Sequence, residues 1–129
     1  MSERLHDLEE SVGHLRIISA TLDPASYTAH AYPSEWTIAD TFSHLGSGAV
    51  IGQRRLEDSL AHRDSDPHFN SWVWDAWNAK SPTAQIEDCL TSDGELLSAL
   101  QSTTEEQRKD FHFMMGPFRF DFDGLVGLR

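Results

Sequence analysis

Few side chains in this sequence could ligate a metal or attack an electrophile. They are seven histidines (His6, His14, His30, His44, His62, His68 and His112), the single cysteine Cys89 and scattered serines. No two histidines lie three to five residues apart and no HExxH occurs, so there is no local metal signature. His6 and His14 lie off the apolar stripe of their expected helix, His30 and His68 fall in expected loops, and His62 follows a helix. Each of these reads as a solvated side chain. His44 differs. On a helix it shares a face with Thr41, Leu45, Gly48 and Gly52, so it is expected to point towards the core, with glycines leaving room beside its ring for a ligand or ion. A hydrogen-bonded core histidine satisfies the same pattern. Cys89 has no basic neighbour or helix-terminal position to lower its pKa, and reads as a buried structural thiol. Ser11, Ser19, Ser43 and Ser47 have no nucleophile-elbow context, and no phosphate loop is present.

The elements that must position these residues are helical. Leu5, Leu8, Val12, Leu15, Ile18 and Leu22 recur at three and four residues and predict an amphipathic first helix, ended by Asp23-Pro24. Residues 24–36, with two prolines, read as a linker. Thr37-Ile38-Ala39-Asp40 has the form of a capping box, and Ile38, Phe42, Leu45, Ala49, Leu56 and Leu60 carry a second long helix to about Ala61. Gly46, Gly48 and Gly52 inside it each cost up to ~1 kcal/mol relative to alanine, which predicts close approach of a neighbour or space kept open. Asn70 is expected to cap a short helix bearing Trp72, Trp74 and Trp77, which pack on the bundle or line a pocket mouth. Ser81-Pro82 opens a third long helix with Ile86, Cys89, Leu90, Leu96, Leu97 and Leu100 on its apolar face. Thr103–Gln107 reads as a further short helical turn. Phe111–Phe122, broken at Gly116-Pro117, forms a hairpin or an irregular strap, and Asp121 caps a last turn carrying Leu125, Val126 and Leu128.

The 129 residues fit one domain, 1–129, with an apolar fraction of 39% that places it among globular chains. Twenty-one acidic against ten basic residues give a formal charge of −11, which repels a phosphate backbone and an anionic membrane surface alike. No apolar run is long enough to span a membrane, the N-terminus lacks a signal-peptide core, and one cysteine allows no internal disulfide. These features make a cytoplasmic location the expectation.

The segment Pro33-Ser34-Glu35-Trp36-Thr37-Ile38-Ala39-Asp40-Thr41-Phe42-Ser43-His44-Leu45, behind an amphipathic first helix, resembles the DinB-like superfamily. More narrowly it resembles the actinobacterial mycothiol-dependent maleylpyruvate isomerase group, whose N-terminal domain binds metal. Gly116-Pro117 and the run Asp121–Arg129 look like that group's approach to its fourth helix. The resemblance implies an all-α, four-helix bundle with a truncated fourth helix. It implies a divalent metal, usually zinc, for which His44 matches the ligand on the second helix. The group's remaining protein ligands, a Glu and a His four apart on the fourth helix, fall beyond Arg129. It also implies a mycothiol-type cofactor, deprotonated on the metal to a thiolate that adds to an electrophilic substrate, isomerising or conjugating it.

One imidazole does not impose a tetrahedral zinc site. Three routes stay open: a shortened chain, a site completed by a partner chain, or loss of the chemistry. Two function classes follow: a metal- and thiol-dependent isomerase or transferase, and a non-catalytic binding module on the same scaffold. A three-helix core with one open side exposes apolar surface, so a homo-oligomer is expected.

Overall fold

The apolar spacing of the sequence is realised as three long helices and three short ones in a computed structural model that describes residues 3–31 and 35–128. Pro33 and Ser34, at the start of the segment ending in Leu45, lie outside the described residues, as do Tyr32, Arg129 and the first two residues. The order is α1 (Glu3–Thr21), α2 (Ile38–Leu60), α3 (Phe69–Asn78), α4 (Pro82–Gln101), α5 (Glu105–Asp110), β1 (Phe113–Met115), β2 (Phe118–Phe120) and α6 (Phe122–Gly127). The protein is all-α apart from one small hairpin. α2 and α4 form the most extensive pairing, α1 packs on α4, and α6 takes the fourth position of the bundle against α1.

Helix starts follow the local chemistry of the sequence. Thr37 Oγ1 accepts from Asp40 N while Asp40 Oδ2 accepts from Thr37 N, both at 3.0 Å, the reciprocal capping box. Thr104 and Gln107 form a second one at α5. Ser81 caps α4 ahead of Pro82, and Asp121 caps α6 through Gly124 N at 2.8 Å. Phe111–Phe122 contains a hairpin and not a strap: Phe113 pairs with Phe120 and Met115 with Phe118. Its two-residue loop is Gly116-Pro117 with Gly116 at φ 58°, the first-position glycine that a type II′ turn requires. Asn70, in contrast, does not cap α3. The N-cap is His68, without a side-chain bond, and Asn70 lies one residue inside the helix, where its Oδ1 accepts from Arg55 Nη2 at 2.9 Å.

Two apolar clusters fill the bundle. At one end Leu5, Leu8, Val12, Ala49, Leu56, Leu96 and Leu100 meet Phe111, Phe113, Phe122, Leu125 and Val126 from the C-terminal elements. At the other, Phe42, Val73, Trp77, Ile86 and Cys89 form a smaller core. The buried stripe of α1 runs through Ser19 and not Ile18, which is 53% exposed. Three- and four-residue steps from Val12 pass through Leu15 to either residue, and the small serine is the one that fits the packed side.

Gly46 is where α2, α3 and α4 come closest. A Cβ there would lie 2.4 Å from the Trp77 ring and 2.9 Å from Cys89 Cα, so no larger residue fits without moving backbone. A Cβ on Gly48 meets nothing, and one on Gly52 makes only ordinary contact with Leu96. Close approach therefore accounts for the first of the three helix glycines alone.

The C-terminal end of α2 is organised by Asp58, a fully buried carboxylate. Its Oδ1 accepts from Arg54 Nε at 3.1 Å and Arg63 Nε at 2.6 Å, and its Oδ2 from Ser65 Oγ at 2.9 Å. Burial raises its pKa, but the bonds from Arg63 and Ser65 and the charges of Arg54 and Arg63 outweigh it, holding the carboxyl below its usual range.

Two outcomes are expected. Gly46→Ala destabilises by about 1–3 kcal/mol through overpacking, whereas Gly48→Ala two residues later stabilises by up to about 1 kcal/mol; urea unfolding reads both signs. Asp58→Asn costs about 2 kcal/mol at neutral pH. Because the folded pKa is depressed, Asp58's contribution is full above its unfolded value near about 4 and is lost as pH falls through the folded one. The stability gap between parent and Asp58→Asn should accordingly close on acidification.

Candidate functional site

His44 is presented by the N-terminal half of α2, and the backbone around it is held from the linker side. Ala31 N donates to Trp36 O, Ile38 N to Ala29 O and Ala39 N to Tyr27 O, each at 2.8 Å. A lone antiparallel bridge joins His30 to Thr37. This pairing, together with the Thr37 capping box, fixes Trp36 against the first turns of the helix. The Trp36 and His44 rings lie 5.3 Å apart at 58°.

His44 does not point into the core. It is exposed, on a solvent-facing ridge with Asp40 and Gly48, while Phe42, Ser43, Gly46, Ser47 and Ala49 take the buried side. The reason is geometric: with about 100° per residue, His44 lies about 200° round the helix from Gly46, the residue pressed against α3 and α4. A Cβ on Gly48, one turn along the same ridge, would meet nothing, so the ridge is open on that side of His44. Thr41, half-buried beside the ridge, donates from Oγ1 to Thr37 O at 3.2 Å. The site is thus an open shelf of Trp36, Asp40, His44 and Gly48.

Zinc needs three or four protein donors around one point. Among the described residues no group of three or more His, Cys, Asp or Glu side chains is placed to hold a metal ion. His44 with Asp40 one turn back offers at most two donors and does not make such a centre.

The decisive comparison concerns this same stretch of chain. A family model described as the mycothiol maleylpyruvate isomerase N-terminal domain matches residues 8–117. The chain belongs to that family. The match runs from within α1 to the hairpin turn and so covers the shelf and the whole of α2, α3 and α4. No curated protein and no solved structure matches the chain.

Within this mycothiol maleylpyruvate isomerase N-terminal domain, the other chemistry-bearing residues are dispersed. Cys89 is fully buried on α4 with its sulfur 3.9 Å from Asp93 Oδ2. Trp77 is core, whereas Trp72 and Trp74 are 59% and 47% exposed and do not form one aromatic wall with it. His62 and His112 are solvent-exposed but line a cavity at the far end of α2 together with Arg55, Asp58 and Arg63. The sequence contained one signal for that grouping, the four-residue spacing of Arg54 and Asp58 on one helix face. No described helix is long and apolar enough to cross a membrane.

Burial of Cys89 generates a direct expectation: its thiol stays unreactive towards an aromatic disulfide reagent in the native protein and reacts at once in denaturant. Stoichiometric labelling without unfolding would contradict that placement.

Proposed function

We propose that this chain serves as the His44-presenting domain of a metal- and low-molecular-weight-thiol-dependent isomerase or transferase, with mycothiol as the thiol and a small electrophile as the substrate. The observation that carries the reading is the family match across the segment that puts His44 on an accessible ridge beside Trp36. An exposed imidazole with a clear approach is available to a ligand in a way that a core histidine is not. Trp36 covers one side of the ring and restricts the directions from which a partner reaches it.

At the shelf the described residues of one chain supply one imidazole and the Asp40 carboxylate, fewer donors than zinc needs, so further ligands must come from outside them. A second copy of the chain is the simplest source, consistent with the expected homo-oligomer. What these residues do by themselves is limited and definite. The capping box and the Ala31–Trp36 pairing set the ridge, Trp36 orients the imidazole, and Gly48 keeps the space beside it open.

The test is elemental analysis of the purified full chain after zinc loading, beside His44→Ala and with sedimentation on both. Near-stoichiometric metal that disappears in the variant is expected, with the metal-free stabilities equal to within about 0.5 kcal/mol because the side chain is exposed. Metal-free parent protein, or a variant that retains its metal, would sink the proposal and leave a non-catalytic binding module.

A further inference from the structure

The far end of α2 carries a second arrangement, unrelated to His44, from which it is separated by 14 residues of helix, about 21 Å. A cavity of about 570 Å3 opens there between α2, the loop after it and β1. A smaller one of about 210 Å3 adjoins it across the shared residues Ser59 and His62. Arg55 lines the larger cavity. Its Nη2 is held by Asn70 Oδ1, while its Nη1 is buried with no hydrogen-bond partner. A buried guanidinium N–H without an acceptor is costly, and of the acceptors that would satisfy it an anionic oxygen binds most strongly.

A second, independent observation comes from the backbone. α2 ends in a Schellman turn: Arg63 N donates to Asp58 O at 2.8 Å and His62 N to Ser59 O at 3.1 Å. The residue after the cap must then adopt positive φ, a position that favours glycine, yet His62 occupies it at φ 53°. The strained residue contributes its side chain to the walls of both cavities. Residues held at such angles cluster at ligand sites, although histidine tolerates the position better than most side chains.

The lining sets Arg55 and Arg63 against Asp58 and Asp64, with Glu106 and Asp110 in the adjoining cavity, and among the described residues Arg55 is the lining arginine that forms no ion pair. Asp58 is compensated by Arg54 and Arg63, bound through their Nε atoms, and Asp64 is the remaining carboxylate of the lining. The last carbonyls of α2, from Glu57, Asp58 and Ser59, are already consumed by the cap, which reduces the repulsion a helix C-terminus offers an anion. Phe113 and Met114 add an apolar wall, and Ser59 Oγ donates to His112 O at 2.7 Å, fixing β1 against α2. We infer that this cavity binds a small organic anion, its carboxylate or phosphate head taken by Arg55 with His62 and its apolar body lying on Phe113 and Met114.

The test is titration of the 15N-labelled full chain with benzoate and with phenyl phosphate, followed by amide NMR. Saturable shifts confined to residues 55–65 and 112–114 are expected with at least one probe, and the tighter of the two identifies the head group. Arg55→Gln weakens that binding by at least about tenfold. His62→Gly raises the melting temperature, since glycine takes φ 53° without strain, and weakens binding as well. This stabilised variant keeps the question open to refutation even if Arg55→Gln folds poorly. Absence of saturable shifts at these residues with both probes, or binding by His62→Gly equal to that of the parent, overturns the site and leaves a solvent-filled crevice.

Discussion

Contact between Gly46 and the pair Trp77 and Cys89 sets the rotation of α2, and the rest of the domain is arranged around it. Helix axes normally stay about 8–10 Å apart because side chains hold them there. Where one helix carries no Cβ, an aromatic ring and a neighbouring backbone can move in. Any rotation of α2 about its axis would drive Ser43 or Ser47 into the same space. The helix has in effect one azimuth compatible with α3 and α4, and that azimuth turns Asp40, His44 and Gly48 to solvent. The accessibility of His44 is therefore a consequence of core packing two residues away.

This constraint also explains which parts of the structure the sequence made legible. Most caps were readable because their chemistry is local: Thr37 with Asp40, Ser81 with Pro82, and Asp121 each specify a backbone geometry by themselves, whereas Asn70 did not cap α3 and Gly116-Pro117 left hairpin and strap open. The long helices were readable from apolar spacing. The direction of His44 was not, because the buried face of α2 includes Ser43, Gly46, Ser47 and Asp58, residues that an apolar count passes over. The same effect replaced Ile18 by Ser19 on α1. Small side chains sit where helices come closest, so the tightest contacts are the ones hydrophobicity reports least.

The candidate site divides along the same line. Family resemblance singled out His44 as the expected metal ligand from a short segment, and the match over residues 8–117 includes the whole shelf. What the sequence did not reveal was the grouping at the other end of α2, where His62 read as a solvated side chain after the helix and nothing drew His112 to it. His112 reaches the cavity beside His62 because Ser59 latches the residue before β1 onto the helix, a contact spanning 53 residues of chain. Such a link leaves no trace in local spacing. Arg54 and Asp58 were the exception, being four apart on one helix.

Asp58 connects the two halves of this picture. It is buried and ionised, and it is neutralised by arginines that remain partly in water, so its desolvation is offset by hydrogen bonds to Arg63 and Ser65. An apolar residue in its place would fill the volume but would not tie the chain after the helix, since Arg63 and Ser65 both lie in that loop. Its backbone carbonyl accepts from Arg63 N in the same turn that forces His62 to positive φ. One residue thus determines, through side chain and backbone together, where the loop leaves the helix and which way His62 faces. The geometry of that end is held by charge, whereas the His44 end is held by close packing, so acid and overpacking substitutions should loosen different ends of the same helix.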